Sequence, residues 1–465
     1  MALMPEDNIA HEASVLLVFR ADNVRSFRDE FTFSLLATAL AERGVARSIA
    51  WREGGKPIDV LPVAGVFGAN ASGKSNVLRA MSDMRAFVLH SFRHGSPTGG
   101  LPQHPFRLDP GSASRPSRFE VDIVLSGVRH QYGFSVDSER VIDEWAVRFP
   151  KGRAVRLFSR EGDAVEVGTV DRARTRAVTD LLRSNALFLS TAASTNHPTL
   201  LPLYGWFERN MLLAEASSRD NRQALTTTML GDPDLRDRVL EFLQAADLGV
   251  TDAVRKELDP KVRERLERAV RVLMGQEGDD PEGPANRPMF DDTYGIQLAH
   301  KGSGNDVAFE PSDESLGTLV WFGLVGPVIQ ALRDGGVFLA DELDASLHPV
   351  LVAHLISLFQ NPETNRRRAQ LIFNSHDTTI LGESAAHRVI DVKGSRLLGR
   401  DQVWFTEKTN DGATRVYPLT DLDPRKDESV ERRYLAGRYG ATPIISRARL
   451  DATAQLVTNG ASAER

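Results

Sequence analysis

The sequence predicts an α/β fold with a mixed β-sheet, and three observations point to it. Residues 63–67 form a short apolar run, a glycine-rich loop follows, and apolar residues then recur at helical spacing over 77–88. Residues 336–340 and 371–373 are two more apolar runs, each followed directly by polar side chains. Residues 119–158 alternate or run apolar between turn signals, as antiparallel strands do. The chain is therefore expected to combine a core sheet, an antiparallel β subdomain and an inserted helical domain.

The glycine-rich loop fits the phosphate-binding pattern G-x-x-x-x-G-K-[ST], with Gly68, Gly73, Lys74 and Ser75 at the fixed positions. The glycines let backbone N–H groups turn toward phosphate oxygens, and the N-terminus of the following helix adds partial positive charge. Lys74 is expected to reach the β- and γ-phosphates of ATP, and Ser75 to ligate Mg²⁺. The same loop supplies four further predicted nucleotide-binding residues, which are Asn70, Ala71, Ser72 and Asn76. A glycine-rich turn with a surface lysine is the alternative, and the flanking strand and helix disfavour it.

Composition sets the wider limits. The 465 residues are too many for one compact domain and suggest about two or three units. Because the chain has no cysteine, disulfides, thiolate metal sites and cysteine nucleophiles are excluded. The net charge of −6 argues against a wholly basic nucleic-acid coat, but not against a local basic groove. No apolar run approaches about 18 residues and the N-terminus lacks a signal-peptide pattern, so a cytoplasmic protein without a membrane partner is expected.

Patterning divides the chain into four parts. Residues 1–170 carry the phosphate loop and the β subdomain, 171–288 a helical insert and linker, 289–446 the second lobe, and 447–465 a tail. Part of the insert is arginine-rich and allows a nucleic-acid-binding stripe, made of Arg263, Arg265, Arg268 and Arg271. Acids placed four residues before two of these arginines favour a self-neutralised solvent face instead.

An acidic site follows the apolar run at 336–340. This strand ends in Asp341 and Glu342, which is a Walker B pattern. The first acid emerges where Mg²⁺ sits, so Asp341 is expected to hold the metal directly or through water. Glu342 is expected to orient and deprotonate the attacking water. A strand that ends in solvated acids is the alternative, and the phosphate loop upstream disfavours it.

The order of the motifs carries a family resemblance. The phosphate loop, Ser-Leu-Gly-Thr at 315–318, the Walker B pair, Asp-Ala-Ser at 344–346 and a third apolar strand ending at His376 follow one another as in ABC ATPases. The chain resembles the ABC-type ATPases of bacterial antiphage defence, of the RloA and AbiL type, which are related to OLD and SMC-like proteins. The segments 400–408 and 431–443 are similar to the end of ATPases that are encoded beside an RloB-like partner.

This resemblance implies a head-to-head homodimer, or a higher oligomer, that sandwiches ATP. Its signature residues would contact the γ-phosphate of ATP bound to the other subunit; they are Ser315, Gly317 and Thr318. Asp344 and Ser346 would line the dimer interface, and His376 would hydrogen-bond the γ-phosphate as a second catalytic residue. The residues alone also allow a core-facing histidine at this strand end.

The N-terminal lobe adds three candidates from the same resemblance. Arg25 and Ser26 follow the first strand and would lie against the nucleotide, although a solvated turn is the alternative. Gln103 is the nearby candidate for the glutamine that senses Mg²⁺ and the γ-phosphate, and a loop amide is the alternative. Two features depart from the family: His348 stands where many ABC ATPases carry Asp, and the aromatic residue that stacks on adenine in transporters has no clear counterpart.

Three functions stay open at the level of sequence. The first is a defence ATPase that controls a separate RloB-like effector, and a neighbouring gene for a nuclease-like partner would favour it. The second is an SMC-like repair or chromosome ATPase, for which DNA would stimulate turnover. The third is an ATP-dependent scaffold with undetectable hydrolysis. A transporter motor is disfavoured because no membrane segment is expected.

Overall fold

The computed structural model describes residues 14–41, 45–93, 95–168, 171–215, 219–257, 294–383, 396–425, 428–443 and 446–460. The predicted arginine stripe and the linker at 275–288 lie outside these ranges.

The predicted antiparallel β subdomain is present as a seven-stranded sheet. Its strands are β1 (Val15–Asp22), β2 (Phe31–Ser34), β6 (Ser117–Leu125), β7 (Val128–Val136), β8 (Val141–Arg148), β9 (Val155–Glu161) and β10 (Ala164–Val167). Their order is β10-β9-β8-β7-β6-β1-β2, with every neighbouring pair antiparallel. The β1–β2 hairpin lies at one edge of the sheet, as its alternating phenylalanines predict.

The core sheet has six strands. They are β5 (Val63–Gly68), β11 (Leu212–Ala214), β15 (Val337–Ala340), β16 (Gln370–Asn374), β17 (Val403–Lys408) and β18 (Thr414–Pro418). The order is β11-β15-β16-β5-β17-β18, parallel except for the last pair. The mixed α/β fold class is therefore confirmed. Because the parallel strands are buried on both faces, their sequences run apolar without alternation.

Two smaller sheets complete the strands. One pairs β3 (Arg47–Ile49) with β4 (Ile58–Val60), and the other has the order β12-β13-β14, formed by β12 (Val250–Glu257), β13 (Tyr294–His300) and β14 (Val307–Phe309).

The described residues also form α-helices. They are α1 (Lys74–His90), α2 (Arg172–Thr179), α3 (Phe188–Ser194), α4 (Leu201–Arg209), α5 (Arg219–Met229), α6 (Pro233–Ala245), α7 (Leu316–Asp334), α8 (Pro349–Gln360), α9 (Val430–Leu435) and α10 (Arg447–Gly460). Helix α1 packs against α3, α4 and the core sheet, while α5 and α6 pack on α7. The predicted helix around residues 235–243 corresponds to α6.

Within the described residues 171–215 and 219–257, the predicted helical insert contains strands as well as helices. Its range also contains β11, which pairs in parallel with β15 inside the core sheet, and β12, which pairs with β13 beyond the linker. The periodicity at 171–245 does indicate helices, but the short strand Leu212–Ala214 gives no period long enough to identify. The insert is thus integrated with both lobes.

Alternate residues of β5 face two different hydrophobic cores. Ala64 and Val66 pack with the β subdomain, α1, α3 and α4, whereas Val63 and Phe67 pack with α5 to α8. The core sheet is therefore the middle layer between the two cores, and the loop that follows β5 is anchored from both sides.

Helix α7 differs from the expectation that no segment is long and apolar enough to cross a membrane. Residues Leu316–Asp334 are long and apolar enough to cross a membrane, with a mean hydropathy of 1.4 over the best window. Within that window, 61% of the residues are buried inside the protein. Packing against α5, α6, β11 and β15 accounts for this apolar character.

Candidate nucleotide site

The phosphate loop joins the end of β5 to the start of α1, as the pattern predicts. Gly73 caps α1 with φ 105°, a conformation that a residue with a Cβ rarely adopts. A Cβ on Gly73 would also collide with Thr414 Oγ1 and lie 2.9 Å from Ser26 Oγ. A Cβ on Gly68 would collide with the carbonyl oxygen of Thr406. Both glycines are therefore required by the close approach of neighbouring segments.

Lys74 holds a buried positive charge at the start of α1. Its Nζ donates to the carbonyl oxygens of Gly68 at 2.8 Å and Ala69 at 3.0 Å, which leaves one of its three N–H groups for a phosphate oxygen. Burial lowers the pKa of Lys74, and three nearby carboxylates offset part of this effect; they belong to Glu342, Asp344 and Asp341. This local charge balance suits a site that receives an anion.

A cavity of about 740 Å³ opens over the loop. Nine of the predicted site residues line it: Ser26, Asn70, Ala71, Gly73, Lys74, Ser75, Asn76, Glu342 and His376. Arg79 and Lys408 line it as well, although neither was predicted. The cavity volume lies within the range of small-molecule sites. Phosphate-loop and Walker B groups thus face one space, as a nucleotide site requires.

Two of the predicted metal ligands, Ser75 and Asp341, lie beside Asn374, the last residue of β16. Its Nδ2 donates to Asp341 Oδ1 and lies 3.5 Å from Ser75 Oγ. A carboxylate and a hydroxyl oxygen brought this close are the donors that Mg²⁺ prefers. The residues therefore fit Mg²⁺, with Ser75 and Asp341 as the groups that would hold it.

Glu342 and His376 form the opposite wall of the cavity. Glu342 has φ 52°, an uncommon conformation for a residue other than glycine, and its backbone N–H donates to Asn374 Oδ1 at 2.6 Å. His376 Nε2 lies 4.0 Å from Glu342 Oε1. Both side chains are about half exposed to the cavity side, with 50% of Glu342 and 41% of His376 accessible. A carboxylate and an imidazole therefore lie next to each other at the cavity.

The segment 344–346, which corresponds to the D-loop of ABC ATPases, contacts this wall through His376. The backbone N–H of His376 lies 3.3 Å from both carboxylate oxygens of Asp344. The D-loop also touches the signature, because a Cβ on Gly317 would lie 2.9 Å from the carbonyl oxygen of Ser346. Ser315 caps α7, its Oγ accepting from Thr318 N at 3.1 Å. The phosphate-loop cavity of the same chain is not lined by Ser315, Gly317, Thr318, Asp344 or Ser346.

Gln103, the predicted sensor of Mg²⁺ and the γ-phosphate, lies away from the cavity in this structure. Its amide nitrogen lies 3.0 Å from Arg115 O, 3.1 Å from Ser117 Oγ and 3.3 Å from Val136 O, so it joins the loop to the β subdomain. It does not line the phosphate-loop cavity. The sequence offered only an isolated glutamine at roughly the right position, with no pattern to fix its direction.

Arg25 and Ser72 differ from expectation in part. Arg25 forms a two-pronged ion pair with Asp83, with both N···O distances at 2.6 Å, and lines an adjoining cavity of about 250 Å³. Ser72 is buried, with its Oγ 2.7 Å from Thr406 Oγ1. Its side chain thus supports the loop from behind.

Sequence reasoning missed Asn374, Arg79, Lys408 and the two supporting threonines, Thr406 and Thr414. Asn374 carried a usable signal, since it is the polar residue at the end of an apolar strand. Arg79 lies four residues after Ser75 and therefore on the same face of α1. Lys408 and the threonines come from the β17–β18 hairpin, far away in sequence, and no local pattern marks them.

This arrangement defines a class of protein. A parallel sheet that carries a phosphate loop, a Walker B pair and a histidine-ended strand at one edge, beside an antiparallel β subdomain, is the head of a P-loop ATPase of the ABC type. The chain belongs to the family described as "AAA domain, putative AbiEii toxin, Type IV TA system", whose model matches residues 63–382.

Solved structures of SMC heads align with most of the chain at 11% identity. The Smc head bound to the C-terminal winged-helix domain of ScpA covers 90% of this chain and 99% of its own, with a TM-score of 0.39. The SMC head from Thermotoga maritima covers 87% and 98%, with a TM-score of 0.36. The Pyrococcus furiosus head with an extended coiled coil, bound to the C-terminal domain of ScpA, covers 88% and 97%, with a TM-score of 0.32. These scores are too low to carry a functional argument. No curated protein matches the sequence.

Proposed function

We propose that this protein binds and hydrolyses ATP with Mg²⁺, and that the ATP-bound homodimer controls a separate effector in cytoplasmic antiphage defence. The observation that carries the proposal is the single cavity shared by Lys74, Ser75, Glu342 and His376. Binding groups and a base with an adjacent histidine thus face the same space. A loop that only bound phosphate would not need Glu342 and His376 in the same cavity.

The chemistry follows from the placement of these groups. Lys74 and the N-terminus of α1 hold the phosphates. Mg²⁺, held through Ser75 and Asp341, would offset phosphate charge. A water oxygen attacks the γ-phosphorus, Glu342 accepts the water proton, and the bond to the β-phosphate oxygen breaks to release ADP. His376 is placed to donate to a γ-phosphate oxygen.

The dimer follows from where the signature lies. Ser315 and Leu316 are exposed at the start of α7, and Leu316 keeps 53% of its surface accessible. The signature lies outside the cavity of its own chain, which supports a contact with a nucleotide bound to a second subunit. We propose Ser315, Gly317 and Thr318 for that contact, with Asp344 and Ser346 at the interface.

The family description, which names a putative AbiEii toxin of a type IV TA system, supports a defence role. The proposal of an RloB-like effector rests on the similarity of the segments 400–408 and 431–443. Recovery of the native complex from phage-infected cells, with identification of co-purifying proteins by mass spectrometry, addresses it directly. A DNA-stimulated turnover would instead favour the SMC-like repair alternative, and ATP binding without turnover the scaffold.

Glu342→Gln tests hydrolysis. Glutamine keeps the size of the side chain but cannot accept the water proton, so turnover should fall by about 10²–10⁴-fold while ATP binding persists and dimers accumulate. Phosphate release and sizing chromatography with ATP measure both effects. Glu363→Gln, in a loop where 80% of the glutamate side chain is exposed, is the control. Turnover of Glu342→Gln within a few-fold of the unsubstituted protein would remove Glu342 as the base.

A further inference from the structure

Arg79 lies between two carboxylates at the edge of the nucleotide cavity. Its Nε donates to Glu215 Oε2 at 3.0 Å, and its Nη2 lies 3.8 Å from Asp341 Oδ2. The other oxygen of Asp341 accepts from Asn374. Asp341 is therefore oriented on one side by an amide and on the other by a guanidinium, although only 8% of its side chain is accessible.

Glu215 connects this cluster to the following segment of the chain. It comes directly after β11, and its carbonyl oxygen accepts from Arg222 Nη2 on α5 at 3.0 Å. Arg222 in turn lines a small cavity with Leu316 and Glu342. One residue thus contacts Arg79 through its side chain and α5 through its backbone.

Helices α5 and α7 are locked together by close contacts. Thr226 Oγ1 donates to Phe322 O at 2.8 Å and accepts from Gly326 N at 3.1 Å, and Gln223 Nε2 donates to Leu319 O at 3.2 Å. A Cβ on Gly326 would lie 3.0 Å from the backbone of Thr226, so the two helix backbones touch. The pair must therefore move as a unit, and α7 begins at the signature serine.

We infer that Arg79 and Glu215 are positioning residues that couple occupancy of the metal-binding Asp341 to the signature helix of the same subunit. This inference rests on the proposed function. A cation held by Asp341 would repel the Arg79 guanidinium, which lies 3.8 Å from Asp341 Oδ2. Arg79 then shifts toward the phosphates, Glu215 follows its partner, and α5 and α7 move together. Gln103, which is held in the β subdomain, cannot provide this link.

The test is a distance measured in the full chain. The protein has no cysteine, so Ala86→Cys on α1 and Ala224→Cys on α5 provide two unique spin-label sites, both exposed. Labelled protein is diluted with unlabelled protein to suppress distances between subunits, and ADP with Mg²⁺ is added. The α1–α5 distance should change on binding, and by less when ADP is added with EDTA.

In Glu215→Gln, the change in the α1–α5 distance should be lost. The ADP affinity should stay within about threefold, because a partly exposed ion pair contributes little to binding of the ligand itself. Arg79→Lys, which keeps the charge without the two-sided fork, should also lose the distance change, and because Arg79 lines the cavity its ADP affinity is expected to fall as well. Glu120→Gln is the matched control, since it breaks a pair with Arg20 of 2.8 Å in the β subdomain and should leave the change intact.

A full distance change in Glu215→Gln would overturn the inference, and so would ADP binding by the unsubstituted protein without any distance change. Failure of the unsubstituted protein to bind ADP would remove the proposed function as well. Calorimetric titration of each labelled variant separates these outcomes, and thermal melting verifies that each variant is folded.

Discussion

At the scale of single residues, the site places charges where they are stable only in combination. Lys74 is buried with 5% of its surface accessible, and its carbonyl contacts do not remove its charge. Glu342 and Asp341 lie close enough to raise the pKa of Lys74 against the effect of burial. Binding an anion completes this balance, so we expect function and stability to conflict at this residue.

The variant Lys74→Met separates the contribution of Lys74 to ATP binding from its effect on stability. Removal of the ammonium should weaken ATP binding by about tenfold to a hundredfold, the value of one charge-assisted hydrogen bond, or abolish it. The variant should nevertheless be no less stable in the absence of nucleotide, because methionine occupies the buried position without a charge. Calorimetric titration with ATP and Mg²⁺ and urea unfolding measure the two quantities. Unchanged ATP affinity would remove the phosphate-loop interpretation.

The difference in free energy of unfolding between the unsubstituted protein and Lys74→Met should depend on pH. Burial lowers the pKa of Lys74 from 10.5, so between the lowered value and 10.5 the unfolded chain binds more protons than the folded one. The free energy of unfolding of the unsubstituted protein should therefore rise with pH in that window, relative to Lys74→Met. A difference that does not depend on pH would contradict the lowered pKa.

At the scale of elements, the β17–β18 hairpin supports the phosphate loop from outside the motif. Thr414 Oγ1 lies 2.8 Å from Ser26 Oγ and 2.9 Å from the carbonyl oxygen of Ser72. Thr406 contacts Ser72 on the other side. Behind the hairpin, Phe405 stacks on Tyr434 at 5.3 Å, so the C-terminal segment packs on the same strand. The loop thus depends on residues more than three hundred positions away.

Thr414→Val tests this support. Valine keeps the shape but loses the hydroxyl, and each lost hydrogen bond contributes about 0.5–1.5 kcal/mol, so ADP affinity should fall by roughly twofold to tenfold without loss of any nucleotide contact. Hydrogen exchange of the loop should rise in parallel. Thr32→Val, at an exposed position of β2, is the control. Equal affinities for both variants would show that the hairpin does not organise the loop.

The same hairpin shows what the sequence could and could not predict. Strands β5, β15 and β16 and helices α1 and α7 follow from periods and loop signals that are local in sequence. The motif residues that line the cavity lie at fixed positions next to those elements. Lys408 and Thr414 carry no local signal, because their roles arise from the pairing of β17 with β5. The contacts of Gln103 with the β subdomain had no local signal either, because an isolated glutamine does not indicate which sheet it will contact.

At the scale of the whole molecule, the two halves of a hydrolysis site lie on different surfaces of one chain. Lys74 and Glu342 line the cavity, while Ser315 is exposed at the start of α7 and touches the D-loop side through Gly317. Asp344 joins that surface to His376. In the proposed mechanism, a second copy of the chain therefore supplies the signature.

Ser315→Arg in a mixed dimer tests this directly. The arginine should prevent the closed dimer, because a bulky cation replaces a small donor beside the γ-phosphate of the partner, while ATP binding by the monomer survives. The substitution also removes the N-cap of α7, which is worth about 0.5–2 kcal/mol. Ser315→Ala, which removes the cap without the bulk, is therefore the control and should still dimerise.

Mixing Ser315→Arg with Lys74→Ala subunits then identifies the composite site. A heterodimer of these two chains has one site with neither lesion and one site with both, so partial phosphate release should return on mixing even though each variant alone is inactive. Verification of the heterodimer by native mass spectrometry is essential, since complete inactivity in verified heterodimers would mean that both sites must act together. Full activity of Ser315→Arg as a demonstrated monomer would contradict the composite mechanism, because a single chain would then supply every group that hydrolysis needs.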